Sequence, residues 1–284
     1  LKAPFIVQRR GDRRGAALRI PEPRIPSDIP DGRYPDLLRN WFLGSRSRAY
    51  LARRRFQYVT ALLAGGAKGR ALDAGCGWGY NLFLLAHEGF APFGIDIVQN
   101  DFLAARRIAE ANGYRASLAG ADLAALPFVA DSFAALTAIE TFEHVYESDR
   151  GLAIREAWRV LAPGGAFALS TPNYASIVET AKRGIVRLPF LKRFFPAMCY
   201  PAGDVTREDY HPYRYHKPAP RAEITALLEG AGFRVEVVRA IIFVWKNVPN
   251  SLFPFARFLE SILEHVPLVR RLGSTLVVLA RKPL

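Results

Sequence analysis

Two cysteines, Cys76 and Cys199, in 284 residues are too few for a disulfide framework, and they fit a reducing compartment. No run of about 18 apolar residues occurs, so no transmembrane helix is expected. The apolar start Leu1 to Val7 is short and soon meets Arg9 and Arg10, which argues against a secretory signal. The expected location is therefore cytoplasmic, with peripheral attachment to a membrane left open. Acidic residues are also scarce. The 26 Asp and Glu face 39 Lys and Arg, leaving a formal net charge of +13. Such a surface favours anionic substrates, membrane headgroups or nucleic acid, unless it is simply basic. No internal repeat or low-complexity tract is found, which removes solenoids and arrays. What is present, 50% hydrophobic and 23% charged residues, suffices for the core of one large α/β domain.

Residues 1–36 are rich in Arg and Pro and read as a basic arm, leaving 37–284 as the folded domain. Tyr50, Phe56, Val59, Leu62 and Leu63 recur near helical spacing until Gly65-Gly66. From Arg70 onward, short apolar runs alternate with helical stretches, the pattern of βαβ units. Strands are expected at Ala71 to Ala74, Pro92 to Ile97, Tyr114 to Leu118, Phe133 to Ile139, Ala166 to Ser170, Phe233 to Val244 and Thr275 to Ala280. Helices are expected from Trp78 to Gly89, Phe102 to Asn112, Gly151 to Leu161 and Arg221 to Glu229. Pro163-Gly164-Gly165 reads as the stop of the third. The predicted class is α/β, a doubly wound, mostly parallel seven-stranded sheet with helical cap insertions at 174–220 and 246–273. Connections of that length usually carry function.

The chemistry centres on Ala71-Leu72-Asp73-Ala74-Gly75-Cys76-Gly77-Trp78-Gly79, a buried strand running through three alternating glycines into a helix. Glycine lets backbone approach a ligand, and open α/β sheets bind ligands at the carboxyl ends of their strands. The dinucleotide pattern G-x-G-x-x-G fails, because its last place falls on Tyr80 or Leu82, and no Walker loop is present. Asp73 would repel a pyrophosphate but suits a ligand bearing an ammonium and a sulfonium. S-adenosylmethionine (SAM) is such a ligand.

From about Arg70 to Asn173 the sequence resembles the class I SAM-dependent methyltransferases, especially the ubiquinone- and menaquinone-biosynthesis group. Asp73, Gly75, Gly77 and Gly79 match that family's D-x-G-x-G-x-G motif at the methionine end of SAM. The resemblance implies that Asp96, in Gly94-Ile95-Asp96, binds the ribose hydroxyls. It also implies that Asp122 lies near the adenine amino group, ahead of the stretch Leu126-Pro127-Phe128-Val129-Ala130-Asp131-Ser132-Phe133. Glu140-Thr141-Phe142-Glu143-His144-Val145 resembles the family's segment after strand four, and Arg159 to Gly165 its turn before strand five.

Other readings stand beside these. Asp73 could be a turn residue, Asp96 a helix cap, and Asp131 turn chemistry alone. Cys76 reads as a small residue between glycines rather than a nucleophile. If the methyl acceptor is a hydroxyl, a base must take its proton, and Glu140, His144, His211 and His216 are the candidates. His211 and His216, five apart, find no further ligand at metal spacing, so no metal is expected. The expected activity is transfer of a methyl group from SAM to a small-molecule or lipid-like acceptor, by O- or C-methylation. The alternatives are an RNA methyltransferase and a non-catalytic SAM-binding module. Nucleic acid is the weaker partner, since Glu140-Thr141-Phe142-Glu143 replaces the N/D-P-P-Y/F motif of amino-methylating DNA enzymes. Gly184 to Tyr200 interleaves Ile185, Leu188, Phe190 and Phe194 with Arg187, Lys192 and Arg193, which suits contact with an anionic membrane or, alternatively, a helix packed on the sheet with its charges outward.

Overall fold

Strand follows helix through most of the chain, and the order of the strands in the sheet explains where the site sits. The computed structural model describes residues 22–26, 44–187, 190, 193 and 215–284. Among these the elements run α1 (Arg46–Leu63), β1 (Arg70–Ala74), α2 (Tyr80–His87), β2 (Ala91–Asp96), α3 (Phe102–Ala111), β3 (Ser117–Gly120), β4 (Phe133–Ile139), α4 (Arg150–Val160), β5 (Leu161–Pro172), α5 (Ile177–Arg187), α6 (Arg221–Gly230), β6 (Arg234–Ile241), α7 (Phe253–Leu263) and β7 (Thr275–Arg281). The seven strands lie in the order β3-β2-β1-β4-β5-β7-β6. Only β7 runs antiparallel, between β5 and β6. The expected doubly wound sheet is observed, and its order reverses between β1 and β4, the place where such sheets form a ligand crevice.

Alternate residues of each strand enter opposite layers, as a period of two requires. Leu72, Leu136, Phe167 and Val278 pack under α4 and α6 with Ile154, Ala157, Ile224 and Leu228. Their neighbours Ala71, Ala135, Ala168 and Val277 face Tyr58, Val59 and Leu63 of α1. Burial on both faces explains why these strands read as continuous apolar runs.

Three strands differ from expectation; β6 ends at Ile241 rather than Val244, because Ile242 turns at φ 68°. β3 is paired at Ser117–Gly120 rather than Tyr114 to Leu118. It is a half-exposed edge strand with little apolar surface to mark it. β5 begins at Leu161, so Pro163-Gly164-Gly165 ends α4 yet lies within the strand. The pairing with β4 breaks register between Phe133 and Ala135, and Gly164, at φ 76°, donates to the Lys282 carbonyl at 3.0 Å. A strand proline is tolerated at such an irregularity.

Because β5 and β6 are parallel, the long connections that follow them leave the same carboxyl edge of the sheet. The first opens with α5. Most of its remainder, including His211 and most of Gly184 to Tyr200, lies outside the described residues, as does most of the basic arm 1–36. The second contains α7. No helix among the described residues is long and apolar enough to cross a membrane.

Glu260 fastens α7 to the rest. It is buried, accepts from the Phe243 backbone N–H at 2.7 Å, and bonds Tyr50 of α1 and Arg257. Ile242, just before those backbone groups, sits at φ 68°, a costly conformation for a β-branched residue. The carboxylate therefore satisfies backbone N–H groups that the turn exposes. Glu260→Ala should cost about 3 to 5 kcal/mol, since it strands Arg257 and buried donors. Urea unfolding would check this, and a loss below about 1 kcal/mol would contradict it.

Candidate active site

The turn from β1 to α2 is built by positive φ at Gly75 (76°), Gly77 (46°) and Gly79 (85°). Its N–H groups are spoken for: Gly75 and Cys76 both donate to the Ile95 carbonyl, at 2.8 and 2.9 Å, and Gly77 donates to Asp96 Oδ2 at 3.0 Å. A Cβ on Gly75 would stand 2.3 Å from Thr141 Oγ1, so only glycine fits between β1 and the loop after β4. Gly79 opens α2 and packs against Ala105 of α3.

An open cavity lies at this carboxyl edge. Of the residues singled out in the sequence, Gly75, Gly77, Asp96, Asp122, Glu140 and His144 line it. Ile97, Leu123 and Val145 form apolar wall, and Asp101 adds a carboxyl that sequence reasoning did not select. Asp73 and Gly79 stand behind the lining. Asp73 is buried, its Oδ1 accepting from Asn81 Nδ2 and Thr137 Oγ1, both at 2.8 Å. Burial pushes its carboxyl up to about 7 despite those two bonds. Asp122 accepts from the Ala124 N–H at 2.8 Å, a local turn that fixes its carboxyl at the rim.

Asp96 offers a prearranged acceptor. Its Oδ2 takes the Gly77 N–H and its Oδ1 the Val98 N–H, at 3.0 and 2.9 Å. Burial raises its pKa, and the backbone bonds oppose that rise. Glu140 stands at φ 53°, a strained position for a non-glycine residue. Its Oε2 pairs with Arg55 of α1 at 2.9 Å, and its Oε1 accepts from Ser170 Oγ at 3.0 Å. Both carboxylate oxygens thus already serve protein donors.

His144 is oriented differently. Its Nδ1 lies 2.7 Å from the Tyr215 carbonyl, which can only accept, so Nδ1 carries the proton and a neutral ring keeps Nε2 as its acceptor. The His216 ring lies 5.3 Å away, centroid to centroid, beside the lining rather than in it. Burial, and then the neighbouring His144, push His216 down to about 3, so it holds a proton weakly. Burial and the charge of Glu140 raise Glu143 well above the usual carboxyl range. Glu143, His144 and His216 offer three ligand-type atoms within 4.8 Å of one another. The spacing of histidines in the sequence gave no sign of this group, because Glu143 and His216 are 73 positions apart.

A family model described as a methyltransferase domain matches residues 71–165, the span that builds this cavity. A probable SAM-dependent methyltransferase of Mycolicibacterium smegmatis is 31% identical over 64% of this chain and 59% of its own length. The match thus covers less than two thirds of that relative. A demethylmenaquinone methyltransferase of Roseiflexus castenholzii is 31% identical over 62% of this chain and 72% of its own. This chain belongs to the class I SAM-dependent methyltransferases. The cyclase SpnF shares the fold, with a TM-score of 0.56 and 19% identity over 82% of this chain and 81% of that one.

As a class I methyltransferase the chain has SAM as its cofactor, and the cavity suits it chemically. It combines a two-oxygen acceptor at the end of β2, apolar wall beside it, and glycine backbone open to close approach. Arg55 and Tyr215 escaped sequence reasoning because they reach the site from elements 85 and 71 positions away.

The depressed His216 value fixes the sign of a pH effect. Between its ordinary 6.5 and about 3 the unfolded chain binds the proton more readily, so stability is lost as pH falls through that window. His216→Gln should flatten this part of the stability curve. Chemical denaturation at a series of pH values would show it, and an unchanged slope would contradict the burial.

Proposed function

We propose that this chain transfers the methyl group of SAM to a small-molecule or lipid-like acceptor, at oxygen or carbon, with His144 as proton acceptor when the acceptor is a hydroxyl. The observation that carries this reading is the lining of one cavity by two sets of residues. Asp96, Asp122, Gly75 and Gly77 line the same cavity as Glu140 and His144.

When bound, SAM supplies a methyl carbon made electrophilic by its sulfonium. Asp96 is assigned to the paired ribose hydroxyls, since its lone pairs are aimed by two backbone N–H groups. Asp122 is assigned to the adenine end, between apolar neighbours Ala121 and Leu123. Asp73 acts through the turn: it holds Asn81 and Thr137 beneath the glycines rather than lining the cavity. His144 accepts the hydroxyl proton at Nε2 while Nδ1 stays bonded to Tyr215. The imidazole would hold that proton until solvent removes it, leaving the acceptor oxygen nucleophilic toward the methyl group that bound SAM would supply, with S-adenosylhomocysteine as the leaving product. Glu140 positions the loop after β4 through Arg55 and Ser170, and His216 is too weak a base for this step. Alignment of acceptor and methyl supplies most of the remaining acceleration.

The connection after β5 is assigned to acceptor binding, as a cap over the cavity, and its side chains would then set specificity. The connection after β6, expected to share that cap, instead turns Phe255 and Phe258 to solvent and contributes no residue to the cavity lining. The same cofactor half-site serves a reading in which SAM is held without transfer, and the fold shared with a cyclase makes transfer itself the quantity to measure.

Tritiated methyl from SAM should enter a hydroxyl-bearing or carbon-nucleophile fraction of cell extract when the purified chain is added. Cofactor bound by calorimetry with no label transferred to any fraction would favour the non-catalytic reading, and label confined to RNA would favour the nucleic-acid one. Asp96→Ala should weaken SAM binding about ten- to a hundredfold, the value of hydrogen bonds to a charged group. Unchanged affinity in a folded variant would remove Asp96 from the ribose role. His144→Gln should leave SAM affinity near the starting value and lower kcat on the order of 10²- to 10⁴-fold for a hydroxyl acceptor. Loss of cofactor affinity with kcat retained would reverse that assignment.

A further inference from the structure

We propose that the connection between β6 and β7 is a docking surface for an anionic lipid bilayer, through the outward face of α7 and the turns on either side of it. Phe255, Phe258, Leu259 and Ile262 recur at i, i+3, i+4 and i+7 of α7 and are all exposed, Phe255 at 65% and Phe258 at 62%. That spacing makes one continuous apolar stripe on a helix. In a soluble helix such a stripe faces the core, yet here the core-facing position is Glu260, buried on the opposite side and tied to Tyr50 and the Phe243 N–H. The helix is therefore anchored with its apolar face outward. Trp245 and Leu268, in the segments before and after the helix, are 61% and 76% exposed. So large an apolar surface on a soluble protein marks an interaction site.

Charge selects the occupant. Residues 245–273 contain two acidic side chains, Glu260 and Glu264, and both are taken up by Arg257 and Arg54. The exposed charges of the same stretch are the basic Lys246, Arg270 and Arg271. An exposed apolar stripe on a helix whose flanking segments carry exposed cations and a Trp fits an interface where acyl chains meet anionic headgroups. A second copy docked face to face would instead bring the same basic side chains together, on a chain whose formal net charge is already +13.

The location gives the surface a use. The connection leaves the sheet at the edge that carries the cavity, because β6 runs parallel to β5 and β4. Docking there keeps the cofactor edge toward the bilayer. The docking itself does not depend on which acceptor is methylated.

The test is co-sedimentation of the full chain with two kinds of vesicle: phosphatidylcholine alone, and equal parts of phosphatidylcholine and phosphatidylglycerol. The chain should pellet with the mixed vesicles, and less so as salt is raised. Phe255→Ser with Phe258→Ser should lower the bound fraction on the order of tenfold or more, the loss expected when two buried aromatic anchors are removed. Arg270→Glu with Arg271→Glu should abolish the preference for phosphatidylglycerol. Thermal unfolding and SAM calorimetry on the same variants should be unchanged, since these side chains touch neither the core nor the cavity. The proposal is overturned if the chain pellets with neither vesicle, or if the serine variant pellets as well as the parent. It is equally overturned if sedimentation velocity shows a dimer that the serine variant alone dissociates, which would identify a second copy as the occupant.

Discussion

Beneath the turn between β1 and α2 lies a buried polar cluster from which the rest of the site hangs. Thr60 of α1 bonds Asn81 of α2 at 2.8 Å, and Asn81 bonds both Asp73 of β1 and Thr137 of β4, at 2.8 and 2.9 Å. Three elements thus meet at one carboxyl group, and α1 joins them through Asn81. Unsatisfied polar atoms at that depth would each be costly, so the cluster permits essentially one relative placement of the two central strands and the helices above them. Gly75, Cys76 and Gly77 follow directly in sequence and donate to Ile95 and Asp96 of β2. The position of Asp73 therefore becomes the position of Asp96, although the two carboxyls do different things. One is locked under the turn, and the other faces the cavity.

In the loop after β4, order is obtained at the expense of local strain. Glu140 sits at positive φ, and its loop must pass close enough to Gly75 that no side chain fits between them. Arg55 and Ser170 hold it there with a charge-assisted pair and a hydroxyl. The neighbouring His144 is fixed by a different part of the chain. Residues 215–220 return along the loop, where the Lys217 N–H bonds the Glu143 carbonyl and buried Arg150 bonds the Lys217 carbonyl and Glu223. The end of the long connection after β5 is thereby fixed behind the loop that carries His144.

Legibility in the sequence follows the range of the interaction. The alternation of strands and helices and the glycine turn were readable because each depends on residues within one βαβ unit, whereas Asp96 and Asp122 came with the family resemblance and both line the cavity. The extent of β5 was not, because Pro163-Gly164-Gly165 carries a strong local stop signal that pairing with β4 and β7 overrides. Asp73 was readable as important but not in its place, since its partners Asn81 and Thr137 lie in other elements. Arg55, Tyr215 and the grouping of Glu143 with His144 and His216 depend wholly on tertiary packing. His144 and His216 were readable as titratable groups, yet only burial and neighbours separate their properties. The Tyr215 carbonyl fixes the tautomer of His144, whereas burial lowers the basicity of His216.

Helix α1 joins these parts physically. Arg54 and Arg55 are consecutive, so they point about 100° apart around the helix axis and reach different neighbours. Arg54 pairs with Glu264, at the end of α7, while Arg55 pairs with Glu140 in the cavity wall. Tyr50, one turn earlier, bonds Glu260 on the inner face of α7. The same helix supplies Thr60 to the cluster under the glycine turn. One rigid element thus sets the distance between the outward apolar stripe, the strained loop that carries Glu140, and the floor of the cofactor turn. A helix is suited to that task because its spacing is fixed by its own hydrogen bonds, whereas the loops it joins have no independent reference for their positions. The apolar contacts of Val59 and Leu63 with the sheet keep α1 in place, and the polar residues along it then distribute that position to both ends of the site.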